Sequence, residues 1–317
     1  MAGDTILMIG ACGQIGAELT MQLRQQYGGA NVIAADIKKP EGELLESGPF
    51  AEINVLDQAG IADILDKYRV TQIYNMAAML SATGEKYPMK AWELNMNGLI
   101  HTLELARDRQ VKKVYWPSSI AAFGPTTPKA NTPQITVMEP NTIYGISKQA
   151  GERWCEWYFL KYGLDVRSLR YPGIISYKTM PGGGTTDYAV DIYFKARSQK
   201  AYTCFLAHDM LLPMMYMPDA IRATIELMEA DAERIKIRSS YNLAAMSFTP
   251  AMVGESIKQH IPDFQLTYDI DFRQKIAETW PGSIDDSEAR ADWGWQHAFD
   301  LDKMTADMLQ HVPAGSQ

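Results

Sequence analysis

Cysteine is scarce, basic clusters are missing, and no apolar run is long. Cys12, Cys155 and Cys204 are the three cysteines among 317 residues. They form no CxxC pair and no cluster with histidine, which excludes a disulfide framework and a structural zinc site. The five histidines (His101, His208, His260, His297, His311) stand without ligand spacing, so no metal is expected. This cysteine usage fits a reducing, cytoplasmic setting. Thirty Lys+Arg against 38 Asp+Glu give a formal net charge of -8, with no basic run. Nucleic acid is therefore not expected as a partner, because neutralising phosphates takes clustered cations. No stretch reaches the roughly 20 apolar residues of a membrane span, so the chain is expected to be soluble and to have no membrane partner. Residues 5–9 run straight into Gly10 with no basic segment ahead of them, and read as a buried strand rather than a signal peptide.

What is there is a rhythm. Short apolar runs alternate with segments of helical period through 5–9, 15–27, 31–35, 61–68, 72–77, 92–109, 113–116, 147–161 and 166–171. Continuous apolar strands, each followed by an amphipathic helix, predict an α/β fold: a doubly wound parallel sheet with helices on both faces. The ligand site of such a sheet lies beyond the carboxyl ends of its strands. The rhythm breaks at Pro172-Gly173 and at the glycine loop 181–184. A dinucleotide-binding domain over 1–175 and a smaller, mainly substrate-binding lobe over 176–317 are expected, with some later segments returning to the main sheet. Helices are expected near 186–197, 218–229 and 250–260, and a frayed tail over 313–317.

The first strand opens into Gly10-Ala-Cys-Gly13-Gln-Ile-Gly16 and then a helix, the strand–turn–helix context that gives a glycine fingerprint meaning. Gly10 permits the tight turn, Gly13 lets a pyrophosphate approach, and Gly16 lets the helix pack close. The free N–H groups and positive dipole end of the helix then face the phosphates. Asp36 ends the next strand twenty residues beyond Gly16. There a carboxylate accepts from adenosine ribose hydroxyls and repels a 2′-phosphate, which favours NAD over NADP. Lys38 and Lys39 lie close by.

Tyr144 and Lys148 are four residues apart, one turn of one helix face, and follow Pro117-Ser118-Ser119 at a strand end. A lysine cation and an oxidised nicotinamide both favour the phenolate, which can accept a substrate hydroxyl proton. Together, Gly10xxGly13xxGly16, Asp36, Asn75-Met-Ala-Ala78, Ser118-Ser119 and Tyr144xxxLys148 resemble the extended short-chain dehydrogenase/reductase family, which includes nucleotide-sugar epimerases and dehydratases. The resemblance implies Tyr144 as general base, Lys148 on the nicotinamide ribose, and Ser119 or Ser118 polarising the substrate oxygen. It places Gln14, Ile15, Ala77 and Ile174 along the cofactor, Asn54 and Val55 at adenine, and Asn95 in the cofactor cleft. A capping or core position is the other reading of Asn54, Val55 and Asn95.

Leu80-Ser-Ala-Thr-Gly-Glu85, Pro181-Gly-Gly-Gly-Thr-Thr-Asp-Tyr-Ala189 and Glu278-Thr-Trp-Pro281 look like segments of the short-chain-type L-threonine 3-dehydrogenases. That likeness implies NAD-dependent oxidation of the L-threonine β-hydroxyl to 2-amino-3-oxobutyrate, in threonine catabolism. A nucleotide-sugar 4-epimerase is the alternative on the same scaffold. Ser81 and Thr186 are the candidates for the amino-acid head group, Trp280 for a lid, and 182–184 for a closure loop. Thr186 as a helix cap and Trp280 as a core aromatic are the plainer readings. The helices 92–109 and 147–161, with Trp154, Trp157 and Tyr158, match a pair that forms a four-helix homodimer contact in extended relatives; packing of those aromatics inside one chain is the other reading.

Overall fold

A computed structural model describes residues 3–178 and 184–313. Strands and helices alternate as β1 (Ile6–Ile9), α1 (Gln14–Tyr27), β2 (Val32–Asp36), α2 (Glu43–Glu46), β3 (Phe50–Glu52), α3 (Gln58–Tyr68) and β4 (Gln72–Asn75). Next come α4 (Ser81–Lys86), α5 (Pro88–Trp92), a π-helical turn (Glu93–Asn97), α6 (Gly98–Asp108), β5 (Lys113–Tyr115), the two-residue β6 (Ser118–Ser119) and α7 (Ile143–Tyr162). Three short strands follow, β7 (Asp165–Arg167), β8 (Leu169–Tyr171) and β9 (Gly173–Ile175). Six of these strands form a parallel sheet in the order β3-β2-β1-β4-β5-β7, with the reversal of direction beside β1 that a doubly wound fold requires.

Apart from β3 at its edge, the sheet is covered on both faces, which is why its inner strands read as apolar runs. Along β1 the side chains alternate. Ile6 and Met8 join Leu19 and Leu23 of α1 on one face, whereas Leu7 and Ile9 join Leu65, Leu103, Trp116 and Tyr158 on the other. Each such fully buried aliphatic side chain contributes about 1.5–3 kcal/mol.

The helix expected over 92–109 is broken by the π-helical turn, that expected from 186 begins at Tyr188, and two further differences bear on the site. The strand over 166–171 is two strands, because β7 joins the main sheet while β8 turns away to lie between β6 and β12 (Tyr241–Asn242). The break falls at Ser168, whose carbonyl accepts from Tyr241 N at 2.9 Å and whose hydroxyl bonds to that of Ser240. The helix expected from 147 begins at Ile143, because Thr142 Oγ1 accepts from Gly145 N at 3.1 Å and Glu85 accepts from Ile143 N at 2.8 Å. Tyr144 thus lies in the first turn. The strand β3 escaped the sequence rhythm because its three residues are only half-buried or exposed at the sheet edge.

The second half carries α8 (Tyr188–Gln199), β10 (Ala201–Cys204), β11 (Leu212–Tyr216), α9 (Met217–Glu229), β12, β13 (Met246–Phe248), α10 (Pro250–His260), β14 (Gln265–Tyr268), α11 (Arg273–Ala277), α12 (Ser287–Trp293) and α13 (Leu301–His311). Tyr188, Tyr193, Leu212, Ile257 and Met304 build its own core. Meanwhile Ile221, Ile225 and Met228 of α9, with Trp293 and Trp295, cover the α1 face of the main sheet. Of the expected glycine loop 181–184, residues 181–183 lie outside the described residues, as do 314–317 of the tail. Among the described residues no helix is long and apolar enough to cross a membrane, and no group of three metal-ligating side chains comes together.

Candidate active site

Two adjoining cavities open at the carboxyl ends of β1, β2 and β4, sharing Gly10, Gly13, Met76 and Ala78. The first, about 290 Å³, is lined by Asp36, Asn54, Val55 and Ala77. Both carboxylate oxygens of Asp36 accept a backbone amide, Cys12 N at 2.9 Å and Lys38 N at 3.0 Å, so the group is fixed in orientation at the end of β2. Asn54 Oδ1 accepts from Leu56 N at 3.0 Å, and Val55 is 4% exposed, so these two shape a turn and pack the core while lining the cavity.

The second cavity, about 230 Å³, begins at the glycine turn with Gly10, Gly13, Gln14, Ile15 and Gly16. Gly10 has φ +82, and a Cβ there would sit 2.7 Å from Ala77 N; one on Gly16 would sit 2.1 Å from the Gly10 carbonyl. Only glycine permits this closeness of turn, helix and strand. The N-cap of α1 is Gly13, so no side chain caps the helix, and the residues of its first turn help line the cavity. That cradle fits a pyrophosphate, and the whole double cavity fits a dinucleotide with its adenosine toward Asp36.

At the far end stand Ser118, Ser119, Tyr144, Lys148 and Ile174. Tyr144 stands beside Ser119, and burial pushes its phenol up to about 12, Ser119 acting in the opposite sense. Burial pushes the Lys148 ammonium down to about 7, while the carboxylate of Glu152 and the thiol of Cys155 act to raise it. Lys148 Nζ donates to the Pro117 carbonyl at 2.5 Å and lies 4.3 Å from the Trp116 ring centroid and 5.5 Å from that of Tyr144. The two serines part company here: Ser118 Oγ donates to Glu152 at 2.6 Å, leaving Ser119 beside the tyrosine.

Ser81, Thr186 and Trp280 line the same cavity, joined by Thr185 and Asp187. Ser81 Oγ and Thr185 Oγ1 are 3.3 Å apart and both residues are buried. The N-cap of α8 is Asp187, one residue beyond Thr186. Asn95 lines neither cavity. From the π-helical turn its amide accepts from Met79 N at 2.8 Å and donates to the Met79 carbonyl and to Ser147 Oγ, each at 3.2 Å. It ties the β4 loop to the helix of Tyr144. Sequence reasoning missed Thr185, Asp187 and Glu152; the first two are immediate neighbours of Thr186, the only signal that could have found them.

The model of the NAD-dependent epimerase/dehydratase family matches residues 6–244. An uncharacterized epimerase/dehydratase of Staphylococcus saprophyticus is 51% identical over 97% of this chain and 96% of its own. Among solved structures, a GalE-like L-threonine dehydrogenase from Cupriavidus necator, in its holo form, is 57% identical with a TM-score of 0.95, covering 98% of this chain and 100% of that one. An L-threonine 3-dehydrogenase from a metagenome, described as monomeric, is 45% identical with a TM-score of 0.94, covering 97% of this chain and 98% of that one.

Proposed function

The chain belongs to the NAD-dependent epimerase/dehydratase family, and from that premise we propose that it oxidises the β-hydroxyl of L-threonine to give 2-amino-3-oxobutyrate. The observation that carries the reading is the character of the cavity around Ser119, Tyr144 and Lys148. It is small and lined by the hydroxyls of Ser81, Thr185 and Thr186, the carboxylate of Asp187 and the indole of Trp280. Lys148 is the one cation on that wall among the described residues, so nothing there matches the diphosphate of a nucleotide sugar, whereas hydroxyls and one carboxylate suit a small zwitterion. The similarity to L-threonine dehydrogenases over nearly the whole chain supports the same substrate.

NAD, when bound, accepts the hydride that leaves the β-carbon. The rest is done by side chains. Tyr144, as phenolate, takes the hydroxyl proton. Lys148 stabilises that phenolate and holds the nicotinamide ribose, and Ser119 orients the substrate oxygen toward Tyr144. Ser81, Thr185 and Thr186 hold the amino-acid head group, while Trp280 closes the cavity against water. Gly10, Gly13, Gln14, Ile15 and Gly16 receive the pyrophosphate, Asp36 the adenosine ribose, Asn54, Val55 and Ala77 the adenine end, and Ile174 the nicotinamide end. Asn95 holds the two cofactor-flanking segments together.

A second copy of the chain is proposed to cover α6 and α7. Trp154, Trp157 and Leu160 are 38%, 44% and 74% exposed on α7, and Trp157 packs edge-on to both Tyr158 and Tyr162. So ordered an aromatic surface left in water is typical of an interface core.

The test is formation of NADH, followed by absorbance, with NAD and L-threonine, using D-threonine, L-allo-threonine, L-serine and a UDP-sugar as comparisons. Reduction with L-threonine alone is the expected result. No reduction with any amino acid, together with retained NAD and bound UDP-sugar, would move the protein to nucleotide-sugar 4-epimerisation.

A further inference from the structure

Three consecutive residues of the chain are gripped by three consecutive turns of one helix. Ser119 meets the Tyr144 hydroxyl, the Pro117 carbonyl accepts from Lys148 Nζ at 2.5 Å, and Ser118 Oγ donates to Glu152 Oε1 at 2.6 Å. Tyr144, Lys148 and Glu152 follow one another at intervals of four along α7 and so share a face. The third rung takes no part in the reaction described above, yet its carboxylate is fully buried. Arg170 grips it with Nε to Oε1 at 2.9 Å and a terminal nitrogen to Oε2 at 2.8 Å. Arg170 also donates to the Gln134 carbonyl at 3.0 Å and to Asn242 Oδ1 at 2.9 Å, and Asn242 in turn donates to the carbonyls of Thr132 and Asp285. A carboxylate this deeply buried is costly unless its partners fix it.

We propose that Glu152 is a positioning residue for the dehydrogenation, fixing the strand end that carries Ser119 and, one helical turn from Lys148, holding that lysine as a cation. The inference rests on the reading that Tyr144 and Lys148 serve the proton transfer. The surroundings of Lys148 leave few other sources of negative charge. From α7 it faces Tyr144, Glu152 and Cys155, and from the strand end Trp116 and Pro117. Burial drives the Cys155 thiol far above its ordinary value and so keeps it neutral. The Ser147–Asn95 pair beside them is neutral too. Lys148 and Arg170 therefore share one anion, Glu152. Glu152→Gln leaves both cations without it, and the lysine then gives up its proton at lower pH.

Competitive acetylation of Lys148, which is buried in the cavity wall, reads this: acetic anhydride entering the cavity labels the neutral amine, and mass spectrometry of its peptide gives the midpoint against pH. In E152Q the midpoint falls by about one pH unit, and kcat for L-threonine falls about tenfold at alkaline pH with KM unchanged. In S118A the midpoint stays where it is in the wild type. The paired E152Q/R170Q variant replaces the buried ion pair with two neutral amides and serves should E152Q fail to fold; its midpoint also falls, by less, because the opposing charge of Arg170 leaves with the carboxylate. An unchanged midpoint in E152Q, or in the paired variant, overturns the inference. The labelling needs no substrate, so a lowered midpoint in a protein that does not oxidise L-threonine upholds Glu152 and overturns only the substrate.

Discussion

Each oxygen of the Asp36 carboxylate accepts one backbone amide, and each keeps acceptor capacity for a hydroxyl of the proposed ribose. Asp36→Ala is expected to weaken NAD binding about tenfold and to narrow the preference over NADP, since it removes both the acceptor and the repulsion of a 2′-phosphate. Equal affinities before and after, by fluorescence titration, would show that Asp36 does not read the ribose. At the other end of the double cavity, Tyr144→Phe should lower kcat by about 10²- to 10⁴-fold while leaving NAD binding intact; a mutant that turns over normally would displace Tyr144 as the base. Lys148 offers a test that needs no substrate. Its pKa is depressed in the folded apo-protein from 10.5 to about 7, so between those values the unfolded chain binds the extra proton and stability rises with pH. Denaturant unfolding at pH 7 and pH 9 should show the wild type gaining stability relative to Lys148→Met over that interval. A constant difference would mean that the lysine is not held in the dry surroundings described.

Helix α7 presents the tyrosine, the lysine and the carboxylate, so anything that frays or displaces it touches all three. Thr142 and Glu85 satisfy the amides of Gly145 and Ile143 at its start, and Thr142→Ala should cost about 1 kcal/mol of stability, read by denaturant midpoint. Deeper in, a Cβ on Gly151 would sit 2.3 Å from the indole of Trp116. Gly151→Ala should therefore lift the helix from the strand end and cost about 1–3 kcal/mol, with kcat falling more than NAD affinity. The glycine turn, Asp36 and the Tyr144–Lys148 pair were legible in the sequence because each depends on spacing within one or two adjacent elements. The choice between Ser118 and Ser119 was not, because which hydroxyl faces the tyrosine depends on Glu152 and Arg170, far away in the chain. The split of 166–171 into β7 and β8 was hidden for the same reason. It is decided by β12, which lies some seventy residues on and leaves no trace in local periodicity. Thr185 was passed over because two neighbouring threonines look alike until Ser81 selects one.

On the scale of the whole molecule, the second half walls the cavity beside Tyr144, through Thr185, Thr186 and Trp280, and also covers one face of the first half's sheet. The exposed aromatic face of α7 adds the proposed second copy. Trp157→Glu should yield a monomer by light scattering while keeping the fold, as a charge at an interface core is not tolerated; an unchanged mass would return those aromatics to the interior packing of a single chain. The strands β6 and β8, which hold Ser119, are finished only by β12. Arg170 waits on Asn242, and Arg167 on the carbonyls of Leu227, Met228 and Ala230. On the ribosome, then, the glycine turn of Gly10 to Gly16 can form early, whereas the serine–tyrosine pair has to wait until about three-quarters of the chain has emerged. A nascent chain stalled before residue 241 is accordingly expected to have a nucleotide cradle without chemistry, so that reactivity arrives only with near-complete synthesis.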